Sequence, residues 1–161
     1  MAPLTQRSSP TEIVVFRVDD VMCGIDILQV QEIKKIHAHA VVYRAPAYVR
    51  GLVNMRGQVV TLIDVGHRLG LGAKALDRAT PAIIVSVGGE LVGLLVDEVD
   101  DVIAADPSDV LPPPANLGGV EGRFFEAVAR TADGLVALID VERIAGVTPP
   151  SIETGPREAR R

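Results

Sequence analysis

Three histidines, five serines and one cysteine are the side chains with which this sequence could do metal or covalent chemistry. His37 and His39 alternate on what reads as a strand, so they face the same way, and with His67 they would offer three imidazoles to a metal ion. No carboxylate shell accompanies them to orient the rings, and surface histidines on an edge strand are the simpler reading. Nucleophilic hydrolysis needs a serine on a sharp turn. Ser8, Ser9, Ser86, Ser108 and Ser151 all lie outside any G-x-S-x-G elbow, and Ser86 reads as a strand residue beside a hairpin. The acidic run DEVDD, Asp97 to Asp101, fails the calcium-loop pattern, because counting from Asp97 puts Val102 where glycine is required and Ser108 where a carboxylate is. Val96, Val99 and Val102 interrupt the acids, as on a solvated edge strand. The stretch GLGAKALD from Gly70 to Asp77, with Gly66 upstream, holds a G-x-G but no phosphate-binding pattern and reads as an interstrand loop. No catalytic constellation is complete.

The elements that would position these residues are mostly short strands. IVVFRVDDVMCGID reads as a hairpin turning at Asp19-Asp20, and IIVSVGGELVGLLV as a hairpin turning at Gly88-Gly89, where glycine adopts positive φ without steric cost. FFEAVARTADGLVALID gives a third about Asp133-Gly134, after which Asp140 caps a short helix, Val141 to Ala145, stopped by Gly146. ILQVQEIKKI spaces Ile27, Val30, Ile33 and Ile36 by three, which predicts a short helical turn. AVVYRAPAYVRG predicts a strand-like run up to Ala45 and then a helix, about Ala47 to Val53, started by Pro46. QVVTLIDV is nearly all apolar, as expected of a strand covered on both faces. Pro112 to Pro114 impose an extended path bridging two parts of the fold. Solenoid-type repetition is not visible.

A hydrophobic content of 48% in 161 residues fills a core, and with aromatics at 3% that core must be aliphatic. The β-branched share of it favours an all-β or β-dominated fold. A net charge of -5 without a basic cluster in the body argues against nucleic acid as a partner. Cys23 has no second cysteine to pair with and reads as a small buried residue in a reducing compartment. The N-terminus lacks a secretory apolar region and no run is long enough to span a membrane, so a cytoplasmic protein without membrane insertion is expected. Residues 1–10 and 148–161 read as flexible tails around one domain at 11–147.

One charged residue stands apart within GLVNMRGQVVTLIDV: Arg56, beside Gly57. Its planar guanidinium suits a clamp on carbonyls at the end of the expected helix, and also a nearby carboxylate. The same region carries a resemblance. VQEI (30–33), APAYVRGLVNMRGQVVTLIDV (45–65), LVGLLVDEV (91–99) and LIDVERI (138–144), in order over about Ile13 to Gly146, resemble the CheW family of bacterial chemotaxis coupling proteins. Its paired pattern is P-x-[YF]-V-x-G-x-x-N-x-R-G followed by V-G-L-x-V-D.

The resemblance implies two small five-stranded SH3-like β-barrels packed on a shared core with a few short helices. It also implies no catalytic activity, no cofactor, and a role linking the cytoplasmic tips of chemoreceptors to the regulatory domain of the histidine kinase CheA at membrane receptor arrays. Carried over by position, it places Val30, Glu32 and Gly51 at the kinase contact. Arg56, Gly57, Gly93, Val99 and Val102 fall at the receptor contact or the groove that shapes it. It also puts Ala127 where the family has glycine, which implies strain or a differently built turn. An adaptor of a related array, governing pili or development, would share these features. A small metal-binding protein or enzyme would instead need the three histidines to converge.

Overall fold

The computed structural model describes residues 4–6, 8–37, 39–73 and 79–146. Among these residues thirteen strands and two short α-helices, with four 3-10 turns besides, follow in order: β1 (Thr11–Val18), β2 (Val21–Asp26), β3 (Val30–Ile36), β4 (Val49–Met55), β5 (Gln58–Asp64), α1 (Val65–Arg68), β6 (Thr80–Val87), β7 (Glu90–Leu95) and β8 (Glu98–Ala105). The remainder is β9 (Val110–Leu111), β10 (Asn116–Leu117), β11 (Val120–Glu121), β12 (Phe125–Thr131), β13 (Gly134–Ile139) and α2 (Val141–Ala145). They form a six-stranded sheet, β8-β1-β2-β13-β12-β9, a five-stranded sheet, β3-β6-β7-β5-β4, and a small β10-β11 ribbon. The fold is mainly β, as expected, and the extra strand of the larger sheet is the two-residue β9.

Alternation along the strands explains their unbroken apolar runs. Val14, Phe16 and Val18 of β1 meet Ile83, Val85 and Val87 of β6 in one core shared by both sheets. Ile13 and Val15 point the other way, into a second core with Val136 and Leu138. In the five-stranded sheet Val60, Leu62 and Ile84 make a third core, while Ile63 turns to the shared one. Each sheet therefore curls over a small core of its own and presents its opposite face to its neighbour, so most strand positions are buried whichever way they point. β5 is covered on both faces only from Val60 onward, since Gln58 and Val59 are exposed.

The two sheets repeat one plan with an exchange. β1-β2 followed by β3 corresponds to β6-β7 followed by β8, and β4-β5-α1 corresponds to β12-β13-α2. Thr61 of β5 lies parallel to Val92 of β7, as Ala137 of β13 lies parallel to Cys23 of β2. The third strand of each unit crosses over: β3 pairs with β6, and β8 pairs with β1.

The hairpins at Asp19-Asp20 and Gly88-Gly89 stand as expected, and the third turns through Ala132 and Asp133 with Gly134 opening β13. Asp140 caps α2 through the Arg143 amide at 3.2 Å, and Gly146 ends it at φ 72°. Two expected helices are strands. Only Ile27–Gln29 of ILQVQEIKKI is helical, as one 3-10 turn, and the rest is β3. A bulge between Val30 and Glu32 inserts one residue and turns Val30 and Ile33 to the same face, so a strand reproduces the three-residue spacing of a helix. The expected helix at 47–53 is replaced by β4, Pro46 serving only to close a turn to Val49, and of the run up to Ala45 only Ala40 pairs, with Leu52. His37 and His39 lie beyond the end of β3.

Within the expected N-terminal tail, Leu4 is 3% exposed and packs into the six-stranded core. Residues 148–161 lie outside the described residues. Ala127 is fully buried and is not among the residues with positive φ, so the expected strain does not arise.

Candidate functional site

The five-stranded sheet ends in a turn built around Arg56. Arg56 and Gly57 have φ of 53° and 82°, the left-handed pair of a tight turn joining β4 to β5. The Asn54 side chain accepts the Gly57 amide at 3.1 Å and fixes that turn. Asparagine or glycine usually holds the position Arg56 occupies, and an arginine there carries a backbone strain of about 1 kcal/mol. Its side chain is 69% exposed and its guanidinium pairs with the carboxylate of Glu32 on β3.

No helix precedes Arg56, so the expected clamp on helix carbonyls does not form, while the carboxylate its fork also suits is supplied by Glu32. β3 and β4 are the two edges of the five-stranded sheet, so the pair reaches from the β4–β5 turn across to the opposite edge. The chain after β3 continues the closure, with Ala40 and Leu52 exchanging two backbone bonds of 2.8 Å. Gly51 makes this approach possible, because a Cβ there would overlap the Ala40 carbonyl oxygen and the His39 ring.

The other expected residues divide between surface and interior. Val30 is half-buried against the shared core at the start of β3, close in sequence to the exposed Leu28 and Ile33. Gly93 is interior: a Cβ on it would lie 2.9 Å from Leu62 and 3.3 Å from Ile84. Val99 packs on the shared core from β8, and Val102 on the same edge strand is 49% exposed. The structure thus joins Glu32 to Arg56 although the resemblance gives them to different partners, and it sets Val99 and Val102 on the other sheet. Among the described residues, no three His, Cys, Asp or Glu side chains gather for a metal ion, and no helix is long and apolar enough to cross a membrane.

Residues 12–147 match the family model described as the CheW-like domain. The chain belongs to the CheW family. It is 31% identical over 133 residues to the chemotaxis protein CheW of Rhizobium meliloti (strain 1021), covering 83% of this chain and 86% of that one. With the chemotaxis protein CheW of Treponema pallidum (strain Nichols) it shares 26% over 146 residues, 88% and 86% of the two chains. Protein FrzA of Myxococcus xanthus is 28% identical over 123 residues, 74% and 76% of the two. The scaffolding protein TtCheW of Thermoanaerobacter tengcongensis superposes with a TM-score of 0.74 at 33% identity, over 81% of this chain and 89% of that one. The CheW-type chain described here is a chemotaxis coupling adaptor.

Sequence reasoning missed the arginine that does clamp a helix in this CheW-family chain. Arg68, closing α1, donates from Nη2 to the Arg143 carbonyl at 2.9 Å and from Nε to the Ile144 carbonyl at 3.2 Å, both in the last turn of α2. Its guanidinium lies 4.4 Å from the Tyr48 ring centroid and 5.2 Å from that of Phe124. The signal available for it was the likeness of LIDVGHRL to LIDVERIA, which marks α1 and α2 as equivalent helices. Beneath this junction Arg50 pairs with the buried Asp64 at 2.9 Å, and Asp64 also caps α1 through the His67 amide at 3.1 Å. Burial pushes the Cys23 thiol up to about 12, which makes it inert at neutral pH.

Proposed function

We propose that this chain links the cytoplasmic tips of chemoreceptors to the regulatory domain of the histidine kinase CheA, without catalysing a reaction itself. One observation carries the reading: Arg56 is held at positive φ, mostly in solvent, and its exposed pair with Glu32 at best cancels the strain of about 1 kcal/mol, so the residue adds no net stability to the fold. Strain kept at an exposed, charged position is characteristic of a residue serving a partner. Val30, which the bulge turns to the face of Ile33 and away from Glu32, supplies an aliphatic anchor for the kinase at the start of β3, and Val99 and Val102 supply one for the receptor. Arg56 lies between the two roles, held by a kinase-side carboxylate. Gly51, Gly57 and Gly93 act through backbone shape, allowing closure, turn and packing without themselves touching a partner. The protein is recruited to membrane arrays through these contacts.

The test is co-sedimentation with receptor-containing membranes and pull-down with the kinase. Val30→Arg should cut kinase binding at least about tenfold and leave receptor binding unchanged. Arg56→Ala should weaken receptor recruitment in a salt-dependent way with an unchanged melting curve. If both variants bound both partners as the native protein does, the assigned surfaces would be wrong.

A further inference from the structure

The two halves of the molecule share one plan, and they differ at one equivalent place. In the five-stranded half the end of the sheet is filled from within, Met55 packing on the core of Val60, Leu62 and Ile84 while Arg56 pairs with Glu32. The strand exchange makes β8 the counterpart of β3, and the β12–β13 hairpin the counterpart of β4–β5. Asp101 then stands in the place of Glu32, and Thr131 and Ala132 stand in those of Met55 and Arg56. Two long side chains are replaced by two short ones.

The space they leave is a groove of about 480 Å³, floored by Val15, Met22 and Val136 and rimmed by Asp101 and Asp133. Val15 and Val136 belong to the core of the six-stranded half, so the groove opens onto the end of that core. Arg17 also lines it but is engaged with Asp100 at 3.3 Å and Glu98 at 3.8 Å. Asp101 and Asp133 make no ion pair among the described residues.

We propose that this groove binds an arginine-bearing turn of a partner protein, its guanidinium between Asp101 and Asp133 and a neighbouring aliphatic or methionine side chain on Val15 and Val136. The molecule contains the template, since Met55 and Arg56 are such a pair of neighbours and occupy the matching place in the other half. A planar fork of donors suits two carboxylates better than a compact ammonium does. A small cation alone would leave the apolar floor bare, and a purely apolar segment would leave both carboxylates facing it. The inference rests on the adaptor reading in taking the ligand to be a protein, and the groove shares Val99 with the surface assigned above to the receptor.

The experiment titrates the isotopically labelled full chain by NMR with a disulfide-closed hairpin peptide copying residues 53–60, and with the same peptide carrying alanine for arginine. Saturable shifts are expected at Val15, Asp101, Thr131 and Val136. Affinity should fall at least about tenfold with the alanine peptide and in the Asp101→Asn, Asp133→Asn variant. Binding should vanish in the Thr131→Met, Ala132→Arg variant, whose own side chains fill the groove. No saturable shift by about 1 mM, equal binding of both peptides, or undiminished binding to the filled variant would overturn the proposal. So would two other occupants. One is a second copy, seen as a dimer that Ala132→Arg dissolves in light scattering. The other is the chain's own C-terminus, seen as Ala132→Arg shifting Arg157, Arg160 or Arg161 in the free protein. If the aspartate variant fails to fold, the peptide pair on the native chain decides the matter alone. Failure of the kinase and receptor pull-downs with peptide binding intact would remove the adaptor reading and leave the groove standing.

Discussion

Replacing Arg68 should destabilise the whole molecule, and by an amount its contacts set. Its Nη2 and Nε bonds reach two carbonyls of the last turn of α2, and its flat face lies against Tyr48 and Phe124. The Arg143 oxygen keeps a second donor in the Gly146 amide at 3.2 Å, whereas the Ile144 oxygen is held by Arg68. A hydrogen bond to a charged group contributes about 1.5–3 kcal/mol, and a partly exposed stack about 0.5–1. Arg68→Ala should therefore cost about 3 kcal/mol and lower Tm by about 6–12 °C at this chain length. Arg68→Lys keeps a cation near the helix end but loses the fork and the stack, so about half that loss is expected. Arg56→Lys is the control, because its pair is exposed and should shift Tm by no more than about 2 °C. Scanning calorimetry on the three variants reads all of this. A native-like melt for Arg68→Lys, or an equal fall for Arg56→Lys, would refute the assignment of the clamp.

Ile63→Asp should abolish folding or lower stability by several kcal/mol, since Ile63 is 2% exposed within the shared core, and the yield of soluble protein with a cooperative melt checks it. Gly51→Ala should cost about 1–3 kcal/mol by forcing the Ala40–Leu52 bridge apart, read as faster amide exchange at Ala40 and Leu52. Cys23 should resist iodoacetamide at pH 8 until the protein is unfolded. Because its folded pKa is raised, its contribution to stability is complete below the unfolded value of about 8.5 and declines as pH rises from there toward 12, which denaturant titrations at pH 8 and pH 10 would show.

Features set by neighbouring residues were legible in the sequence. The Gly88-Gly89 turn and the Asp140 cap depend on side chains within a few positions of the backbone they satisfy, and both stand where they were expected. β3 and β4 were not legible, because both are edge strands carrying a bulge, and the bulge erases the alternation by which a strand is recognised. The misplaced helix at β4 then misled the reading of Arg56, since a clamp was expected on carbonyls that are paired in a sheet. Of the candidate site, the residue types came through the family pattern. That Glu32 and Arg56 meet depends on the curl of a whole sheet, which no local signal encodes.

The exchange of β3 and β8 means that neither half is an autonomous folding unit. A chain cut between α1 and β6 leaves β1 without β8 and β3 without β6, each with an open hydrogen-bonding edge. The two pieces expressed together have those two edges answered and can reassemble by complementation. Two copies that exchanged these pieces would satisfy the same β1–β8 and β3–β6 pairings as one intact chain does.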